Sequence, residues 1–315
     1  MGKYSKKVVA ELIKQEIHDA TVFGKIKEAF PEYEISYPNI IGKNKKYIKF
    51  ILLSKPRSGS TLVVSSLNSH PNIVCYGETF LENECHFDYF PFFPANNDQS
   101  ILYLRDKNPI KFLKAFIYRK YLPNFTSVGF KLFYFQNFTE IYPSLGKFIL
   151  KNKDIHIIHL IRRNSLKCLI SHKIAELTNQ WQKIDPLLID IIIKNELCEL
   201  FPYAKLPIQE ENESFSLELN FEETRDYFIE SDRMHEDYKK KFQNHPYLEI
   251  FYEDIETAPN KHMEIITKFL GAQNRELFCP ILKQGNYNLN KVITNYQNIK
   301  IMFKDTKWSE FFTEF

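Results

Sequence analysis

The apolar run Phe50-Ile51-Leu52-Leu53 passes within a few residues into Arg57-Ser58-Gly59-Ser60-Thr61-Leu62. A buried strand that feeds a small polar turn and then a helix is how an α/β chain builds an anion cradle. Successive backbone N–H groups and the open N-terminus of the helix converge on one point. Gly59 lets the backbone approach closely, Ser60 and Thr61 add hydroxyl donors, and Arg57 adds a planar cationic fork. The turn is not a Walker A loop: no glycine precedes it at the required spacing, and no Gly-Lys-Ser/Thr follows. The expected ligand is therefore an anion carried on a nucleotide, and Mg-ATP is disfavoured.

The rest of the chain extends this alternation. Ile155-His156-Ile157-Ile158-His159-Leu160-Ile161 is a continuous β-branched strand, as in a parallel sheet covered on both faces. Strands at 47–54, 73–75, 127–132, 155–161 and 247–252 alternate with helices at 60–69, 109–121, 143–152, 165–178, 220–241 and 259–270. The pattern predicts an α/β, P-loop-like fold with a central parallel sheet of about five strands flanked by helices. Apolar residues at helical spacing, among them Val9, Leu12, Ile13 and Ile17, predict a helical extension over 1–45 packed on a main domain of 46–315. The aromatic, proline-bearing stretch 86–100 reads as a loop, 183–200 as helical and 205–216 as a polar loop. The tail from 272 shows little pattern.

Composition narrows the partners. A net charge of +3 over 315 residues suits a small anionic ligand and falls short of the basic stripe that nucleic acid requires. The lysine patches at 43–46 and 239–241 read as solvated faces. Five scattered cysteines, none at metal-ligand spacing, read as reduced thiols. The N-terminus lacks an apolar signal core and no stretch reaches membrane-span length, so a cytoplasmic protein without an integral membrane segment is expected. The sequence leaves oligomeric state open.

A second station stands at the exit of the 155–161 strand, where Arg162-Arg163-Asn164 precedes Ser171, eight residues beyond Arg163. The C-terminal ends of strands are where open α/β sheets collect ligands. An arginine with a hydroxyl can clamp a second phosphate there. An anion cradle after the first strand and an Arg…Ser clamp after a later one resemble the sulfotransferases that use 3′-phosphoadenosine 5′-phosphosulfate (PAPS). Further motifs are similar to the bacterial carbohydrate-type, nodulation-sulfotransferase-like branch: Ser69-His70-Pro71-Asn72-Ile73 with Gly77-Glu78-Thr79-Phe80, Ala175-Glu176-Leu177-Thr178 with Trp181, and Tyr252-Glu253-Asp254-Ile255 with Phe269-Leu270-Gly271. Asn295-Tyr296 fits more loosely, and the resemblance spans about 50–305.

The resemblance implies a set of roles. The loop Arg57, Ser58, Gly59, Ser60, Thr61 and Leu62 would hold the 5′-phosphosulfate. Arg162 or Arg163 with Ser171 would hold the 3′-phosphate; spacing favours Arg163, while a strand ending one residue early would bring in Arg162. Tyr252 would lie near adenine, with a buried core tyrosine as the competing reading. Where cytosolic members place a histidine base two residues after a strand lysine, this chain has Phe133 after Lys131, so Glu78 becomes the candidate base. A cap on the next helix is the competing reading of Glu78. Lys131 and Arg57 would stabilise charge on the leaving phosphate, and no metal is required. The implied acceptor is a hydroxyl on a carbohydrate, a glycolipid or a small natural product, with an amine still open. PAP would be the product. The rival readings are a small-molecule P-loop kinase and a non-catalytic nucleotide-binding protein.

Overall fold

The computed structural model describes residues 46–82, 99–121, 123–136, 140–181, 183–184, 216–277, 279, 281–282 and 288–313. The expected N-terminal extension 1–45, most of the aromatic loop 86–100, and all but the first two residues of the 183–200 helix lie outside these.

Five strands form one parallel sheet in the order β2-β3-β1-β4-β6: β1 Ile48–Ser54, β2 Ile73–Glu78, β3 Ser127–Phe133, β4 His156–Ile161 and β6 Tyr247–Phe251. Two short strands, β5 Lys183–Ile184 and β7 Ile281–Leu282, pair antiparallel outside it. The α/β architecture with about five parallel strands and flanking helices is as the alternation predicts.

Each strand alternates its side chains between two apolar layers. Ile51, Leu53, Val128, Phe130, Leu132 and Ile157 pack on one face. They meet α3 Pro109–Phe112, α4 Pro143–Lys151, and Tyr238 and Phe242 of the long α6 Phe221–Phe242. Phe50, Leu52, Ile158 and Leu160 pack on the other, against Val63 and Leu67 of α1 Ser60–Asn68 and Met263 and Ile266 of α8 Pro259–Phe269. Each fully buried Leu, Ile or Phe contributes about 1.5–3 kcal/mol, so the two layers fix the sheet between its helices.

Several elements differ from the sequence reading. A helix α2, Gln99–Lys107, starts in the last two residues of the 86–100 stretch read as a loop and covers residues up to the 109–121 helix for which the pattern assigns no element. The helix expected over 109–121 stops at Ile117: α3 widens into a π-helical turn, Leu113–Ile117, where Tyr118 N–H bonds back to the Leu113 carbonyl. Tyr118 then turns inward and donates its hydroxyl to the Phe50 carbonyl on β1. Residues 183–184 are strand, not helix. The tail is ordered: α9 Leu289–Val292, α10 Tyr296–Met302 and a final 3₁₀ turn bury Tyr296, Phe303, Phe311 and Phe312 against Ile170 and Ile174 of α5 Ser165–Thr178 and Phe228 of α6. These pieces are too short for a 3.6-residue period to emerge, which is why the sequence showed little pattern there.

Candidate active site

The candidate site residues 57–62, Glu78, Lys131, Arg162, Arg163 and Tyr252 lie in or just beyond the last three residues of β1, β2, β3, β4 and β6, and Ser171 follows on the helix after β4, the side on which open α/β sheets carry their sites. The turn after β1 is built from two left-handed residues, Arg57 at φ +63° and Gly59 at φ +83°. Gly59 is the N-cap of α1 and the helix has no side-chain cap, so its first N–H groups open onto the turn. Gly59 is also required by contact. A Cβ there would stand 2.3 Å from Cδ2 of Tyr252, whose ring packs beneath the turn. Tyr252 is the first residue of α7 Tyr252–Thr257 and not, as read from sequence, the last of the strand. The Ser58 hydroxyl, within the same turn, is buried without a partner.

The second station is bonded to the first. Arg57 Nε donates to Ser171 Oγ on α5 at 3.0 Å, and Arg57 Nη1 donates to the Trp181 carbonyl at 2.6 Å. In return Arg162 Nη1 donates to the Arg57 carbonyl at 3.0 Å, fixing the left-handed residue from outside, while Arg162 Nε is buried without a partner. The Arg162 guanidinium lies 4.8 Å from the centre of the Tyr252 ring. Arg57, Arg162, Ser171 and Tyr252 thus form one cluster. Arg163, which the spacing to Ser171 favours, points elsewhere. Its guanidinium makes a two-pronged pair with Asp254 of α7 at 2.6 and 3.0 Å and covers the Phe251 ring. That guanidinium holds the Asp254 carboxyl below the usual carboxylate range.

Glu78 and Lys131 meet as an ion pair, Nζ to Oε1 2.5 Å, with Lys131 buried and Glu78 partly open to solvent. Lys131 Nζ also lies 3.4 Å from Thr61 Oγ1, which ties the pair to the cradle. Their meeting depends on a bulge. The β2–β3 register runs Tyr76 with Phe130 and then jumps to Glu78 with Lys131, leaving Gly77 as the extra residue. A regular ladder would put Glu78 on the Tyr76 face, within the apolar layer; the extra residue turns it to the Lys131 face. A glycine inside a strand is the sequence signal for such a bulge, and it went unread. Glu78 ends β2 and no helix follows within Thr79–Glu82, so the described residues give it no helix to cap.

A second cation was also missed. Lys55, between β1 and the turn, is half-buried against α6: its Nζ bonds Ser231 Oγ and lies 3.7 Å above the Tyr227 ring. Desolvation lowers its pKa to about 8. A lysine just past the apolar run Phe50–Leu53 and Ser54 was the available signal. Among the described residues no group of three or more His, Cys, Asp or Glu side chains could hold a metal ion, and no helix is long and apolar enough to cross a membrane.

Chemically, the arrangement offers an anion cradle, a cluster of guanidinium and hydroxyl donors beside it, and a carboxylate with an ammonium at the mouth. These are the parts for moving a charged group between two oxygen atoms: donors for the anion, a cation for developing charge and an acceptor for a proton.

A family model points to related chemistry. The family model described as a sulfotransferase domain matches residues 48–314. A nodulation protein H of Rhizobium tropici is 26% identical over 273 residues, covering 84% of this chain and 92% of that protein. A second nodulation protein H, from Rhizobium meliloti, is 24% identical over 269 residues, covering 84% and 94%. A solved sulfotransferase from Alicyclobacillus acidocaldarius is similar at a TM-score of 0.40 and 11% identity, covering 83% of this chain and 93% of that one.

Proposed function

Because the chain belongs to the sulfotransferase domain family, we propose that it transfers a sulfuryl group from PAPS to an acceptor hydroxyl, with Glu78 as the base. The acceptor is proposed to be a carbohydrate, a glycolipid or a small natural product. The observation that carries this reading is the Glu78–Lys131 pair at 2.5 Å, joined to the cradle through Thr61 at 3.4 Å. It sets a proton acceptor and a cation beside the place where an anion would rest.

The residues fit such a donor. Ser58 Oγ and Arg162 Nε are buried polar atoms that lack partners, and the uncapped α1 N-terminus adds backbone donors. PAPS supplies the activated sulfuryl group, and PAP leaves. The turn 57–62 orients the phosphosulfate end, and Ser171 with Arg162 and Arg163 holds the 3′-phosphate. Arg163 reaches it by leaving Asp254, at small cost, since exposed pairs are worth about 0–1 kcal/mol. Lys131 turns from Glu78 toward the transferring group and stabilises the charge that builds on the leaving phosphate. The freed Glu78 oxygen then takes the proton from the acceptor hydroxyl. In-line transfer of this kind is governed by positioning and charge stabilisation, which these groups provide.

The test has two arms. Titration calorimetry should show PAP binding far more tightly than 5′-AMP without added Mg²⁺. Glu78→Gln should bind PAP as the wild type does and lose about 10²–10⁴-fold in sulfation rate, the usual share of a general base. Equal affinity for PAP and AMP would remove the 3′-phosphate station, and unchanged turnover in Glu78→Gln would remove the base.

A further inference from the structure

The turn after β1 is anchored on its α5 side by Ser171 and on the β4 side by Arg162. Its junction with β1 has one more tether, on a different element. Lys55 reaches away from the cradle into a socket on α6 made of the Tyr227 ring at 3.7 Å and the Ser231 hydroxyl. Ser231, itself buried, donates its own proton to the Tyr227 carbonyl at 2.7 Å, so its lone pair is left facing the ammonium. The socket is held from behind. Asp232 accepts from Trp308 Nε1 at 3.0 Å and pairs with Lys307 at 2.6 Å, which pins this turn of α6 to the tail. Lys55 is therefore the link through which α6 and the tail bear on the cradle, and Pro56 between it and Arg57 makes that link stiff.

Resting on the nucleotide reading above, we propose that Lys55 is a positioning residue for the cradle, seating it on α6 as a cation, and that nucleotide binding requires Lys55 in its protonated form. The groups that face it are Cys168 from α5 and Tyr227, Asp232 and His235 from α6. Burial holds His235 neutral, its pKa lowered to about 4, and pushes the Tyr227 hydroxyl well above its ordinary range. Neither therefore changes charge between pH 6.5 and 9. Burial lowers the ammonium of Lys55 to about 8, so a large share of it is neutral in the free protein at the upper end of that range. A polyanion in the cradle favours the charged form, so binding above about pH 8 takes up one proton from solvent.

The experiment is calorimetric titration of the full chain with PAP from pH 6.5 to 9, in two buffers of different ionisation enthalpy, for wild type, Lys55→Arg and Lys55→Met. In the wild type, affinity should be flat below pH 7.5 and fall by up to about tenfold per pH unit above 8, with buffer-dependent heats that report proton uptake. Lys55→Arg, charged throughout, should bind without that dependence. Lys55→Met, neutral at every pH, should bind at least about a hundredfold more weakly at pH 7, with no proton uptake. Its thermal midpoint should be no lower than that of the wild type, because a half-buried ammonium no longer has to be desolvated. Lys55→Met with wild-type affinity, or with the wild-type pH slope and proton uptake, overturns the role of Lys55 alone. No PAP binding by the wild type at any pH overturns the nucleotide reading, and the proposal with it.

Discussion

Asp254 decides how the second station should behave residue by residue. Its carboxylate takes both nitrogens of the Arg163 fork in an exposed pair, while Arg162 spends one nitrogen on the loop and keeps Nε without a partner. If Arg163 must leave Asp254 to hold a 3′-phosphate, removing the carboxylate removes that competition. Asp254→Ala should therefore tighten PAP by about two- to fivefold, the worth of an exposed pair, and leave 5′-AMP unchanged. Parallel titrations of both nucleotides check it; unchanged PAP affinity would assign the phosphate to Arg162 and Ser171. At this scale the sequence was legible in residue type. The loop and Ser171 were named from motif and spacing, and Glu78 and Lys131 through the family resemblance. That Arg57 would bond Ser171 was not legible, because it depends on a left-handed φ at a non-glycine residue, a conformation that costs about 1–3 kcal/mol and is imposed by the surroundings.

Strand β2 carries the point where an element, not a residue, makes the chemistry. The alternation of Val74 and Tyr76 into one apolar layer sets a two-residue period that would bury Glu78, and the Gly77 bulge breaks that period by one. Deleting Gly77 should restore a regular ladder and turn Glu78 off the Lys131 face. The expected outcome is a loss of sulfation as large as that of Glu78→Gln, with PAP affinity within about threefold of wild type, because the cradle hangs on β1 and not on β2. Rate and calorimetry on the same protein, with a melting curve to show that it folds, separate this from general damage. The long elements were readable from periodicity, β4 and α6 above all. The bulge, the π-helical turn that ends the 109–121 helix at Ile117, and the short tail helices were not, since each departs from its period over only a few residues.

The strand order β2-β3-β1-β4-β6 places β1 at the centre, and no local pattern in the chain encodes that order. It is a property of the whole molecule, and so is the polar layer it creates beneath the site. β4 carries His159 onto the α6 face, where Tyr134 and Tyr247 bond its two ring nitrogens and His235 of α6 packs beside it. A neutral imidazole donates at one nitrogen and accepts at the other, which satisfies both hydroxyls. Burial keeps it neutral, lowering His159 to about 3 and His235 to about 4. Unfolded histidines titrate near 6.5, so between that value and the folded ones the unfolded chain binds more protons than the native one. The stabilising effect is complete above pH 6.5 and is lost progressively as the pH falls toward 4 and 3. Each pKa unit is worth about 1.4 kcal/mol, so the two groups together remove on the order of several kcal/mol by pH 4. Thermal midpoints should therefore drop steeply from pH 7 to 5, before most carboxylates protonate, and His159→Gln should flatten the slope while lowering the midpoint at pH 7. A wild-type midpoint that stays level over that interval would mean that the layer is open to protons in the native state. β4, α6 and Tyr134 would then not form the closed wall behind Lys55 and the cradle.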